Sequence, residues 1–165
     1  MNNFLKSTVI ATAIALGTTS AILTTPAFAI DEVSIAGSTA DAPNLAVQGY
    51  DVVSYRSGDA PVVGAATYSA QFEGATYRFA SQANLDTFNA DPARFVPVYG
   101  GFCAYGVAKG KKFDADPLAY TVVNDRLYLN LNKKIQKKWL KKRDKYIDQA
   151  EGNWADIEHV AIGDL

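Results

Sequence analysis

Ala119–Leu131 reads AYTVVNDRLYLNL. Two runs rich in Val, Leu and Tyr flank Asn124-Asp125, and such runs suit paired strands. A two-residue hairpin loop needs positive φ at both central residues, which Asn and Asp tolerate. A hairpin is therefore expected over 119–131. Upstream, Thr67–Phe72 and Thr76–Phe79 alternate in polarity around Glu73-Gly74, which predicts another hairpin. The two hairpins are expected to share one sheet. Ser81 reads as an N-cap, with Leu85 and Phe88 three apart on the following helix. Asp91-Pro92 opens a short turn with Pro at its first position, Phe95 inward and Pro97 as the stop. Asn132 is expected to cap a long helix over 133–151 that ends at Gly152. Its apolar stripe is Ile135, Trp139, Tyr146 and Ala150, with Leu140 and Ile147 alongside and lysines over the rest. Asn44–Gly49 reads as a short strand, and Asp51 as the cap of a helical turn over 50–55. Tyr99–Gly110, YGGFCAYGVAKG, reads as a tightly packed helix flanked by loops.

The fold class that follows is α+β: a small single domain with two β-hairpins, short helices and a long C-terminal amphipathic helix. The expected core is Tyr77, Phe79, Leu85, Phe88, Phe95, Leu127, Leu129, Ile135 and Trp139. Residues 1–29 read as a signal peptide: Lys6, an apolar stretch from Val9 to Leu23, Pro26, and the cleavage pattern Ala27-Phe28-Ala29. A periplasmic or secreted location is expected after cleavage near Ala29. Residues 30–43 read as a flexible lead-in, 44–155 as the domain and 156–165 as a tail. No internal repeat is seen at this level.

The chain of 165 residues holds one Cys, one Met and one His. A lone Cys excludes an intramolecular disulfide framework and a CxxC site. The net charge of −1 argues against a nucleic-acid partner. The charge is uneven: residues 30–100 carry eight acids and three bases, and residues 101–165 nine acids and twelve bases.

Several segments point to one family. Val47-Gln48-Gly49-Tyr50-Asp51-Val52-Val53-Ser54-Tyr55 resembles the GYDPVAY opening of exported YHS-domain proteins. Tyr68 to Ser81 resembles the YHS hairpin with its G-x-x-Y-x-F-x-S signature. Asn84–Phe88 with Asp91–Phe95 resembles the helix that follows, and Tyr99–Gly106 is similar to a YGGYCAYG segment. Val122–Asn130 and Gln136–Trp139 are similar to the family's tail. The resemblance spans about residues 44–155 and implies a small α+β module. It also implies a link to heavy-metal handling. The metal-associated branches carry two Cys in a Y-F-C-S-x-x-C run, where this chain has Ala80 and Ala83.

Cys103 is the leading candidate site residue. A thiolate is a soft ligand and a nucleophile when a cation or helix N-terminus lowers its pKa, and Lys109, Lys111 and Lys112 lie nearby in sequence. Tyr99 and Tyr105 are candidate supporting ligands. Copper or zinc is the cofactor that a thiolate implies. One Cys and one distant His cannot close a site alone, so a homodimer or a metal-handling periplasmic partner is implied; a monomer is the alternative. Burial of Cys103 as a small apolar residue is the plainer account. His159 reads as an exposed tail residue rather than the partner in a Cys–His dyad, and Asp114 and Asp116 as polar loop residues. The expected function is an exported small binding module for a soft metal ion or a metal-handling partner. The alternatives are a thiol-dependent redox protein or enzyme using Cys103, and an interaction protein without site chemistry. The Lys-rich helix could touch an anionic membrane surface, although a solvated face is the plainer reading.

Overall fold

The structure is a computed structural model that describes residues 30–57 and 59–165. The segment read as a signal peptide, 1–29, lies outside the described residues. The fold is α+β. Its first hairpin pairs β1 (Ala65–Phe72) with β2 (Ala75–Phe79), and its second pairs β3 (Asp116–Val123) with β4 (Arg126–Asn130). Both turns have positive φ at their two central residues, Glu73-Gly74 and Asn124-Asp125, as type I′ turns require. The hairpins do not join into the expected single sheet; each is a separate two-stranded sheet.

The helices are α1 (Gln82–Ala90), α2 (Pro92–Phe95), α3 (Ala104–Val107), α4 (Lys133–Leu140) and α5 (Arg143–Ile157). The long C-terminal helix is α5. The expected continuous helix over 133–151 is instead divided at Lys141–Lys142, where Lys142 leaves helical geometry at φ −144° and ψ 41°. Gly152 lies inside α5 rather than ending it. The expected strand at 44–49 is also absent, because Val47 and Gln48 adopt left-handed backbone within a tight turn over Ala46–Gly49. The expected helix within 99–110 is a single turn, α3.

The chain repeats one unit twice. Each unit opens on a left-handed knuckle: Val47-Gln48-Gly49 in the first, Tyr99-Gly100-Gly101 in the second. A short helical turn follows, Ser54–Arg56 or α3. Next comes an eight-residue strand, a two-residue turn and a five-residue strand. Each hairpin breaks register once, between Ala65 and Ser69 or between Asp116 and Tyr120. Each ends on a side-chain-capped helix, with Ser81 accepting from Asn84 N–H and Asn132 from Ile135 N–H. The offset through the hairpin and cap is 51 residues, so Ser81 answers to Asn132 and Phe88 to Trp139. Phe88 and Trp139 are each the fully buried anchor of their helix.

Two apolar clusters follow from the two units. One gathers Tyr77, Phe79, Phe88 and Phe95; the other gathers Tyr99, Phe102, Tyr128 and Trp139. Leu127 and Leu129 of the second hairpin pack into the first cluster, so the units form one domain. Seven of the nine expected core residues are buried, while Leu85 and Ile135 are half-buried.

Both chain ends are packed. Residues 30–43 are not a free lead-in: Val33 is buried, and Ser34 N–H donates to Gly100 O at 2.9 Å. A Cβ on Gly100 would lie 1.7 Å from Glu32 O, so the lead-in can cross there only over glycine. The tail is held too, through Lys112. This lysine is 2% exposed, and its Nζ donates to Asp31 O, Glu158 O and Val160 O, each at 2.7 Å.

Candidate functional site

Cys103 is 1% exposed and sits just before α3. Its Sγ accepts from Gly106 N–H at 3.4 Å, and its thiol donates to Asn130 Oδ1 at 3.9 Å. Burial pushes the thiol up from its ordinary pKa, in line with the plainer reading of a buried small residue and against activation by the neighbouring lysines. Lys112 is turned away to the main-chain carbonyls above. Lys109 lies over the Tyr105 and Tyr146 rings.

The repeat explains the residue. At an offset of 52, Cys103 stands where the first unit has Asp51, a carboxylate that is fully buried. Asp51 Oδ1 accepts from Val53 N–H at 2.9 Å. Its Oδ2 accepts from Ala80 N–H at 2.8 Å and from Asn84 Nδ2 at 2.6 Å. The main-chain N–H groups that face Cys103 include those of Tyr105 and Leu131, the counterparts of Val53 and Ala80. Both side chains tie a short helical turn to the end of a hairpin.

The two candidate tyrosines point elsewhere. Tyr99 is buried with left-handed backbone, φ 57° and ψ 40°. Its hydroxyl donates to Glu151 Oε1 at 3.4 Å. Tyr105 packs edge-on against Tyr146, under the ammonium of Lys138 at 4.8 Å from the ring centre. Hydrogen bonding to Lys138 lowers the Tyr105 pKa. Thus Cys103, Tyr99 and Tyr105 share no partner, and no group of three or more His, Cys, Asp or Glu able to hold a metal occurs among the described residues. His159 is exposed and its Nδ1 lies 2.7 Å from Glu32 Oε1, whereas the partners of Cys103 Sγ are Gly106 and Asn130. Asp114 accepts from Ser34 Oγ and Asp116 from Leu118 N–H, as loop residues do.

A cleft of about 270 Å³ opens where the lead-in, the link between the units and α5 meet. Tyr99 and Trp154 form aromatic wall, with ring centres 5.7 Å apart. Glu32, Glu73, Glu151 and Glu158 line it against Arg94 and Arg126. Arg126 is paired with Glu151 at 2.8 Å, and Arg94 with Asp125 at 2.6 Å. Glu73 forms no ion pair among the described residues. Tyr77 also lines the cleft and is 2% exposed; desolvation and the nearby Glu73 charge raise its pKa. The sequence places Tyr77 first of all in the core. Glu73 was legible only as a turn residue, because the link that faces both is far away along the chain.

No family model, curated protein or solved structure matches the chain.

Proposed function

We propose that the protein is an exported, non-enzymatic binding module whose cleft takes a small organic cation bearing an amine. The observation that carries this reading is the Glu73 carboxylate, which lines the cleft with the buried Tyr77 and forms no ion pair among the described residues. That carboxylate supplies the charge, and the Tyr99 and Trp154 faces suit a cation. The left-handed Tyr99 is the strained backbone that binding sites tolerate. The volume lies just below the range of about 300–1,000 Å³ usual for ligand pockets, so the ligand is small.

The motif order along 44–155 is the support for a YHS-type module, and the 1–29 pattern is the support for export to the periplasm or beyond. A soft metal such as copper or zinc at Cys103 is the less favoured reading. It would need the thiol unburied and ligands brought from elsewhere, including a partner.

Calorimetric titration with 1,4-diaminobutane, arginine, glucose and succinate tests the proposal. The amines should bind and the other two should not. Tyr77→Phe and Glu73→Gln should each weaken amine binding about tenfold, the usual cost of a lost charged hydrogen bond. No amine binding, or binding unchanged in both variants, overturns it.

A further inference from the structure

The two units offer an internal comparison. Helices α1 and α4 occupy the same place, after a hairpin and a side-chain cap, and each buries one aromatic anchor. The fold asks the same of both. Yet α1 contains no lysine, while six of the ten residues from Lys133 to Lys142 are lysine and none is acidic. Trp139 alone is buried in α4; Lys133 reaches Leu118 O and Lys138 the Tyr105 ring, while Lys134, Lys137, Lys141 and Lys142 make no such contact among the described residues. All six lysines are exposed, and none forms an ion pair among the described residues. Lys134, Lys137, Lys141 and Lys142 are an addition to what the architecture requires.

Apolar side chains are interleaved with them. Leu131 and Leu140, at the two ends of α4, are 43% and 45% exposed. Ile135 floors a shallow groove lined by five of the lysines. Leu118, also exposed, lies beside Lys133, whose Nζ donates to its carbonyl. We infer that α4 docks the protein on an anionic phospholipid bilayer, with the lysines at headgroup depth and Leu131 and Leu140 below them.

Charge complementarity chooses the occupant. The six charges are all lysine. Lysine is a point charge on a flexible stem and lacks the planar fork by which arginine reads a carboxylate or phosphate at fixed geometry. Such a set suits a fluid charged surface more than a shaped protein site. Exposed leucines among lysines suit the boundary between headgroups and acyl chains. The rest of the chain completes the argument, because the first unit carries the excess of acids and is repelled by the same surface. The molecule is therefore electrically polar and presents α4 first.

Vesicle co-sedimentation tests this with the full chain and, in parallel, with residues 30–165, which carry both cores. Vesicles are phosphatidylcholine alone or with one third phosphatidylglycerol. Binding should appear only with phosphatidylglycerol and should fall at least tenfold in about 0.5 M salt, where screening is strong. Lys134→Glu/Lys137→Glu/Lys141→Glu should abolish it. Lys134→Gln/Lys137→Gln/Lys141→Gln, which adds no repulsion, should weaken it at least tenfold at an unchanged melting temperature. Leu140→Ser should weaken it without changing its salt dependence. Equal binding of residues 30–165 to neutral vesicles, no binding to anionic ones, or indifference to the lysine variants overturns the inference. So does tight binding to poly-glutamate with none to vesicles, which would assign the face to an acidic protein.

Discussion

At Cys103 a thiol does structural work that a carboxylate does at Asp51. Asp51 can accept several N–H donors because an ionised carboxylate has lone pairs for all of them. Cys103 accepts weakly and donates its proton to Asn130. A neutral thiol is the form the site holds, since burial raises its pKa above the ordinary 9.0. For an acid whose folded pKa is raised, the stabilisation is complete below the unfolded value and is lost as pH climbs past it. Between about pH 9 and 10, below the range where the buried tyrosines with raised pKa add their own loss, the wild type should therefore lose stability, while Cys103→Ser, whose hydroxyl does not titrate there, should not. Iodoacetamide at pH 8 should modify Cys103 only at the rate of unfolding. Rapid alkylation of the native protein would contradict the structural role. Composition alone could not separate these readings, because an unpaired thiol looks the same in sequence whether buried or poised for use.

At the scale of elements, what could be read from sequence was local. The hairpin turns, the Ser81 and Asn132 caps and the Asp91-Pro92 start each depend on a few adjacent residues with strong conformational preferences. The break that divides the C-terminal helices does not: Lys142 is an ordinary helix former, and nothing in its own side chain marks the change of backbone. The left-handed Val47 and Gln48 were equally hidden, since a β-branched residue at positive φ runs against propensity. The repeat was hidden because its equivalent positions keep a job and change a residue, as Asp51 and Cys103 or Phe88 and Trp139 do. The cleft needed three distant segments at once, so only its turn and core members could be recognised, for other reasons. Where the element does rest on a local signal, the consequence is measurable. Asn132→Ala removes the acceptor for Ile135 N–H and should lower stability by about 1 kcal/mol in denaturant unfolding. Asn132→Asp should restore it. An unchanged midpoint for the alanine variant would mean that Trp139 packing alone nucleates α4.

At the scale of the molecule, Lys112 joins what the two units leave loose. Its ammonium spends all three protons on main-chain carbonyls from opposite ends of the chain, Asp31 on one side and Glu158 and Val160 on the other. The rings of Phe102 and Trp154 lie 5.2 and 5.5 Å from it and shield the charge from water. The Glu32–His159 contact at 2.7 Å sits at the surface of the same junction. The lead-in and the tail thus depend on a residue in neither of them, and they supply Glu32 and Glu158 to the cleft. Lys112→Met keeps much of the stem and removes the donors, leaving three carbonyls short of a partner. Unsatisfied buried groups cost about 1–3 kcal/mol each when water cannot reach them, but here both ends can swing out to solvent and recover most of that. The expected loss in global stability is therefore modest, about 2 kcal/mol. The local effect should be larger. Amide exchange should accelerate over residues 30–36 and 158–165 together, and amine binding in the cleft should weaken with it. Acceleration at one end alone would show that the ends are held separately, and that Lys112 does not couple them.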